Sequence, residues 1–300
     1  GDLEAAAQAF ARVREIEPNN VQASIGEAEL ALARGQSVEA ARRLEAALRL
    51  NPEQRKALLS LVLVYEYLGR DEIAGRYLDL ARAVHRDRPE VHILAAEYHL
   101  RADRYEEAAA AARTAQAIDQ FNRAASAIRA RVALLQESYL EASAIAEELI
   151  AQDRSDTGAW YVRAVAKHRT GDVEGALQSI RTALRLAPDD DLLRIWAEWL
   201  AMQELDLDHD VRAELAGARA EDARELEQRF RFERALRAYQ RALQLAPLDL
   251  ELRRNYAELF RRLGYNASYL QEIELVLEDG QPDERLERRV GILRNSLASQ

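Results

Sequence analysis

A small residue returns every 34 positions along most of the chain, and apolar residues keep a constant spacing after it. The positions four and seven residues further on are apolar or small, which is the spacing of one face of an α-helix. In most cases another small or compact residue lies 12 positions upstream. Both segments therefore predict amphipathic helices. The recurring residues are Ala6, Ala40, Ala74, Ala108, Ala142 and Ala176, with a further match at Ala235 after 25 additional residues.

Each period predicts a hairpin of two helices. Glycine follows the first helix in three periods, at a turn where it adopts left-handed backbone angles at little cost. Arg86, Gln120 and Arg154 stand where other periods have a proline, so the ends of those three second helices are less well specified. The turn glycines are Gly35, Gly69 and Gly171. The predicted units are residues 21–54, 55–88, 89–122, 123–156 and 157–190, and residues 1–20 supply one second helix before them.

The constant period, together with the pattern Ala6-x3-Phe10 and the later Pro18, resembles the tetratricopeptide repeat (TPR) family. The resemblance covers nearly the whole chain. It implies an all-α, right-handed superhelical solenoid of helix-turn-helix repeats, in which neighbouring hairpins stack because one hairpin cannot bury its apolar face alone. It also implies a non-catalytic scaffold or adaptor that binds a protein or peptide partner.

The period breaks at residues 191–215, where an additional helix and a turn are predicted. Matched units return at 216–249 and 250–283, but Tyr269 replaces the small residue of the second one, so its helices are expected to approach less closely. A final helix near 283–298 is expected to cap the array, since a terminal repeat needs one face that tolerates water. The predicted division is a regular array over 1–190, an irregular segment over 191–215 and C-terminal repeats over 216–300.

Composition excludes several classes of function. The net charge of −10 argues against a general nucleic-acid binder, which needs a concentrated basic surface, and the sequence lacks an apolar run long enough to span a bilayer. Without cysteine, thiol catalysis and cysteine-ligated zinc are excluded. The phosphate-binding loop, the paired-histidine zinc motif and the nucleophile elbow are also missing. We therefore expect no catalytic residue, no cofactor, no metal and no direct membrane insertion.

Two weaker signals for a metal site have simpler explanations. His92 and His99 share one helix face but coincide with packing positions of the repeat, which favours core histidines. Residues 206–210 are similar to the start of a calcium loop, but Val211 replaces the required glycine and Gly217 replaces the bidentate glutamate. Neither segment is expected to bind a metal.

In the TPR family the partner usually lies on the concave face, which the first helix of each unit forms. The matching positions here are more apolar than a solvated helix face requires, which favours a groove for an extended peptide or an amphipathic helix. Packing between adjacent first helices is the alternative. In a groove, apolar residues would supply affinity and charged residues would set the register. The candidate contacts are Ile25, Glu29, Leu32, Leu59, Leu63, Tyr67, Ile93, Glu97, Leu100, Arg131, Leu134 and Tyr161.

Two secondary candidates lie nearer the C-terminus. Trp196 and Trp199 are aromatic residues of the irregular segment, and their helical spacing favours core packing, with an interface as the alternative. Arg254 and Arg261 share a helix with Glu251 and Glu258, where an acidic partner could bind. Pairing between positions i and i+4 on a solvated face, such as Arg254–Glu258, is the favoured alternative.

The sequence leaves the partner and the compartment open. Self-association, or docking within a larger protein through the segment 191–215, is the second hypothesis for function. Lys56 and Lys167 are the only lysines, which suggests a bacterial source. The chain begins at Gly1 partway through a repeat, so we expect a piece of a longer protein, cytoplasmic or of the cell envelope, with a preference for the envelope.

Overall fold

The computed structural model describes residues 3–280 and 283–298, with side chains up to residue 295, and these residues form 17 α-helices and no strand. The all-α repeat architecture predicted from the period is confirmed. The chain packs as two compact units, Gly1–Thr170 (unit 1) and Gly171–Gln300 (unit 2). Their boundary falls inside the predicted unit 157–190, and the division into 1–190, 191–215 and 216–300 stays a prediction.

Unit 1 is a row of helical hairpins in which first and second helices alternate. Its helices are α1 (Leu3–Ile16), α2 (Val21–Ala33), α3 (Ser37–Leu50), α4 (Arg55–Tyr67), α5 (Asp71–Val84), α6 (Pro89–Arg101), α7 (Tyr105–Ile118), α8 (Arg123–Leu135), α9 (Tyr139–Gln152) and α10 (Thr157–Arg169). The hairpins are α2/α3, α4/α5, α6/α7 and α8/α9, and α10 packs on α9 and α8. The recurring alanines Ala40, Ala74, Ala108 and Ala142 are fully buried, which allows the two helices of a hairpin to approach closely.

Unit 2 contains two hairpins and three further helices. Its helices are α11 (Val173–Leu186), α12 (Asp191–Glu204), α13 (Asp210–Gln228), α14 (Phe232–Leu245), α15 (Leu250–Arg262), α16 (Asn266–Asp279) and α17 (Glu284–Ala298). The hairpins are α13/α14 and α15/α16. Helix α12 packs on α11, α13 and α14, whereas α17 packs on α16. Helix α13 has 19 residues and begins six residues before the predicted start of its unit at 216.

The second helices without a following proline end as sharply as the others. Helices α5, α7 and α9 end two residues before Arg86, Gln120 and Arg154. In each case the backbone N–H of the next residue bonds to the carbonyl four residues earlier, as His85 does to Ala81 at 2.8 Å. Backbone hydrogen bonds therefore satisfy these helix ends where the sequence lacks a proline.

The turn after each first helix contains one residue with a left-handed backbone conformation. This position takes glycine in four repeats, as predicted for the first three, but it takes a larger residue elsewhere. The glycines, with their φ angles, are Gly35 (73°), Gly69 (66°), Gly171 (84°) and Gly264 (81°), and the larger residues are Asp103 (55°), Glu137 (59°) and Phe230 (57°). Left-handed angles cost a residue with a Cβ about 1–2 kcal/mol, so the turn and not the residue type determines this conformation.

We expect Gly264→Ala to lower the free energy of unfolding of unit 2 by about 1 kcal/mol, because alanine is strained at φ 81°. A Cβ there would have no heavy atom within 4 Å, so the cost comes from the backbone alone. Gly217→Ala is the matched control, since Gly217 is exposed inside α13 and also has an open environment. There alanine should raise the same free energy by about 0.5–1 kcal/mol. Urea denaturation followed by circular dichroism measures both, and a shift of the same sign would contradict the prediction.

Candidate binding surfaces

Most of the predicted contact residues lie on the exposed or half-buried side of the first helices of unit 1. Together they form the first-helix face, which consists of Glu29, Leu32, Leu59, Leu63, Tyr67, Ile93, Glu97, Arg131, Leu134 and Tyr161. Tyr67 is 81% exposed and Leu63 is 49% exposed, whereas Leu59 and Ile93 pack partly against the core. The face is therefore a mixture of accessible apolar side chains and residues that also pack between helices.

Ile25 and Leu100 do not belong to this face. Ile25 is 1% exposed and Leu100 is 7% exposed, and both are part of the core that continues from α2 to α8. A partner cannot reach either side chain unless the helices repack. The matching family positions identify the first helix correctly, but the direction of these two side chains depends on how the neighbouring helices pack.

Ion pairs link successive first helices across the face. Lys56 Nζ on α4 lies 2.5 Å from a carboxylate oxygen of Glu29 on α2. Arg101 Nη2 on α6 lies 2.8 Å from a carboxylate oxygen of Glu66 on α4, and Arg101 Nη1 lies 3.7 Å from Glu97. Hydrogen bonding to Glu66 raises the pKa of the Arg101 guanidinium above its usual value. Exposed pairs of this kind contribute little to stability, so their main effect is to hold these side chains in register.

A pocket of about 470 Å³ opens between α8 and α10. Leu134, Leu135, Tyr161 and Val165 supply most of its large apolar lining. The space between them stays open because several facing positions carry little or no side chain. These small residues are Ala127, Ala130, Gly158 and Ala159. Arg131, Leu134 and Tyr161, which the sequence singled out on two different helices, thus lie around one cavity. We call it the α8–α10 pocket.

The charged groups around this pocket differ in whether they already have a partner. Asp156 caps α10 by accepting a hydrogen bond from Ala159 N at 2.9 Å, and it also pairs with Arg123 at 2.8 Å. Arg131 and Arg169 line the pocket, are exposed, and form no ion pair within the described part of the chain. Two guanidinium groups are therefore available beside an apolar cavity.

Helix α12 carries an exposed apolar stripe. Leu192 is 78% exposed, Ile195 is 50% exposed and Trp199 is 41% exposed, while Trp196 is half-buried. Core packing was the favoured interpretation of both tryptophans, and for Trp199 it is wrong because a substantial part of its ring faces solvent. The inward positions of α12 are taken instead by Leu193, Ala197 and Leu200. An interface at Trp199 stays a prediction.

The arginines predicted on α15 are paired, but with other carboxylates than the spacing suggested. Arg261 bonds to Glu258 one turn away, and this hydrogen bond raises its pKa. Arg262 reaches Glu227 on α13, and Arg254 lies 3.9 Å from Asp283. The predicted i, i+4 pair Arg254–Glu258 is therefore wrong, because Glu258 pairs with Arg261 and Arg254 pairs with Asp283, the residue before α17.

The histidines and the aspartate-rich turn have structural roles. His92 is buried and donates from Nε2 to the carbonyl of Arg86 at 2.8 Å, while burial lowers the pKa of half-buried His99. His209 caps α13, its Nδ1 accepting a hydrogen bond from Val211 N at 3.2 Å. Among the described residues, no three or more histidine, aspartate or glutamate side chains lie close enough together to hold a metal ion. No helix among those residues combines the length and apolar character needed to cross a membrane.

Sequence reasoning missed a second cavity, which lies entirely in unit 2. It measures about 680 Å³, lies among α12, α13 and α14, and its lining is rich in arginine. We call it the arginine pocket. Its six arginines are Arg194, Arg219, Arg229, Arg234, Arg237 and Arg241. The sequence indicates only the part of this pocket that lies on α14, where Arg234, Arg237 and Arg241 follow the spacing of one helical face.

Comparisons with known proteins agree with this architecture. Models of the tetratricopeptide repeat family match residues 1–62 and 129–191. The APC/C hetero-tetramer Cut9-Hcn1 aligns with a TM-score of 0.59 at 10% identity, covering 87% of this chain and 46% of that chain. A tetratricopeptide repeat protein from Parabacteroides merdae ATCC 43184 aligns with a TM-score of 0.55 at 13% identity, covering 91% and 98%. YrrB, a TPR protein with an unusual peptide-binding site, aligns with a TM-score of 0.51 at 18% identity, covering 64% and 99%.

The comparison with curated proteins gives no match. At such identities the structural likeness shows the fold and leaves the partner open. The repeated 34-residue period, the alternating helical hairpins and the two family matches lead to one conclusion. Residues 1–62 and 129–191 of this chain are tetratricopeptide repeats, and the described residues as a whole have the all-α hairpin architecture of that family.

Proposed function

We propose that this TPR protein is a non-catalytic scaffold that holds a segment of a protein partner on the first-helix face, with one apolar side chain of that segment in the α8–α10 pocket. TPR arrays are protein–protein interaction scaffolds, which supports the general class. The observation that carries the proposal is the 470 Å³ apolar pocket, which gathers Arg131, Leu134 and Tyr161 from two first helices.

The lining indicates what the pocket would accept. Leu134, Tyr161 and Val165 offer apolar surface, and the small residues between them leave room for a side chain that none of the described residues supplies. Burying a leucine- or phenylalanine-sized side chain contributes about 1.5–3 kcal/mol. A leucine, methionine or phenylalanine anchor therefore fits the cavity, and such buried anchors dominate the affinity of many interfaces.

Charged residues at the rim of the pocket would orient the bound segment. Arg131 and Arg169 are exposed and unpaired within the described residues, so a carboxylate next to the anchor would find a guanidinium partner. Leu63 and Tyr67 on α4 extend the accessible apolar surface of the same face. The proposed ligand is thus a short segment with an apolar anchor and an acidic neighbour, and its remaining contacts lie towards α4.

The test is a selection of peptides from a random library on the immobilised protein, followed by fluorescence anisotropy of the enriched peptides. Ala127→Phe places a ring in the pocket from a half-buried position on α8. We expect it to weaken binding by at least about tenfold, because the ring occupies the space of the anchor. Ala124→Phe is the matched control, since Ala124 is exposed on the same helix and does not line the pocket.

Circular dichroism and thermal unfolding establish first that both variants fold. Binding that is lost with Ala127→Phe and kept with Ala124→Phe supports the proposal. The proposal fails if the selected peptides bind both variants as well as they bind the wild type. It also fails if selection enriches no peptide with an apolar anchor.

A further inference from the structure

The arginine pocket concentrates positive charge within an acidic protein. Its lining contains six arginines and three carboxylates, Asp191, Asp222 and Glu225, while the whole chain has a net charge of −10. Even when buried Glu198, which pairs with two of these arginines, is included, positive charges remain in excess. Such a local reversal of sign attracts an anion to this place on the surface of unit 2.

The inner arginines already bind carboxylates of the chain itself. Glu198 is fully buried on α12, with its two oxygens 2.5 Å from Arg219 Nε and 2.8 Å from Arg241 Nε. Arg194 Nη1 lies 2.6 Å from Asp222 and its Nη2 donates to the carbonyl of Pro188 at 2.7 Å. These contacts orient the inner guanidinium groups, and they show that the spacing of arginines on α12, α13 and α14 suits carboxylate ligands.

Of the exposed arginines, Arg229 pairs with Glu225 at 3.3 Å, whereas Arg234 and Arg237 have no such partner among the described residues. Arg234 and Arg237 are exposed on α14, and their guanidinium groups form no ion pair or hydrogen bond within the described part of the chain. They lie one helical turn apart, on the same face of α14 as Arg241, which pairs with the buried Glu198. Each can therefore donate a pair of hydrogen bonds to a carboxylate that approaches from solvent.

We propose that the arginine pocket binds an acidic segment of a protein partner, with Arg234 and Arg237 as the residues that contact its aspartate or glutamate side chains. Ile195 and Leu226 also line the pocket, so an apolar residue between the acidic ones would find a contact. The overall charge of −10 repels a long polyanion such as a nucleic acid, whereas a short acidic segment meets mainly the local positive field. The arginine pocket is formed by other helices than the first-helix face, and its ligand is mainly acidic, whereas the ligand of the α8–α10 pocket is anchored by an apolar side chain.

The experiment measures fluorescence anisotropy of a labelled peptide of alternating glutamate and alanine, added to the full chain at low ionic strength. An otherwise identical peptide with glutamine in place of glutamate is the neutral comparison. Arg234→Gln/Arg237→Gln should weaken binding of the acidic peptide by about tenfold, because two charge-assisted contacts are lost. Arg285→Gln/Arg289→Gln on α17 removes the same charge from exposed positions outside the pocket, and it should leave the affinity within about twofold.

Three results would overturn the assignment. The first is equal weakening by both double variants, which would indicate a general charge effect. The second is equal binding of the neutral peptide. The third is displacement of the acidic peptide by inorganic phosphate, but not by acetate, at equal ionic strength, which would identify a phosphate site. Ala127→Phe in unit 1 should leave binding of the acidic peptide unchanged. The α8–α10 pocket and the arginine pocket are therefore tested by separate variants, and either proposal can fail without the other.

Discussion

Glu198→Ala should lower the free energy of unfolding of unit 2 by about 3–5 kcal/mol, the largest effect we expect from a single charged residue. Glu198 is completely buried, and its carboxylate bonds to Arg219 and Arg241, which are themselves only 18% and 32% exposed. Removing the carboxylate leaves two poorly solvated guanidinium groups without their partner and opens a cavity beside α12. Glu198→Gln keeps the shape but loses the charge, so a smaller loss of about 1.5–3 kcal/mol is expected.

Tryptophan fluorescence can monitor the unfolding of unit 2 close to Glu198. The chain has three tryptophans, and in a Trp160→Phe background the remaining two, Trp196 and Trp199, both lie on α12 with Glu198. Glu258→Ala is the control, because its pair with Arg261 is 43% exposed on both sides and should contribute no more than about 1 kcal/mol. Equal denaturation midpoints for Glu198→Ala and Glu258→Ala would show that the buried ion pairs do not stabilise unit 2.

Tyr269→Ala should also destabilise unit 2 by about 3–5 kcal/mol, although the repeat pattern has alanine at this position in the other units. Tyr269 is 1% exposed and packs in a cluster with Ala257, Ile273 and Val290. Val290 belongs to α17, so the terminal helix helps to enclose the ring. Alanine would leave a cavity here, because Ala257, Ile273 and Val290 are packed around the ring.

Tyr269→Phe separates the ring from its hydroxyl group. The hydroxyl is buried and has no hydrogen-bond partner within the described residues, so its removal should raise the free energy of unfolding by about 1 kcal/mol. Circular dichroism during urea denaturation gives the size of both effects, and hydrogen exchange of α15, α16 and α17 shows where they occur. A neutral or stabilising effect of Tyr269→Ala would contradict the prediction, because alanine would then suit this position as it does in the other repeats.

The candidate surfaces differ in how far the sequence predicted them. Family positions identified Arg131, Leu134 and Tyr161, because the first helices begin where the period places them. The same positions included Ile25 and Leu100, which are buried, since counting along a helix does not show which neighbour will cover a side chain. The arginine pocket was not predicted, because its arginines come from three helices and meet only through the packing of the irregular helix α12.

The sequence by itself determined the helices, their order and the turns between them. Helical periodicity, small residues at fixed intervals and turn glycines are local signals, and each acts within one hairpin or between two neighbours. Only the tertiary structure decided which cavities stay open, why Glu198 is buried between two arginines, and how Tyr269 replaces an alanine. These features depend on side chains that two or three successive helices bring together, and their free energies arise from burial and pairing between those helices.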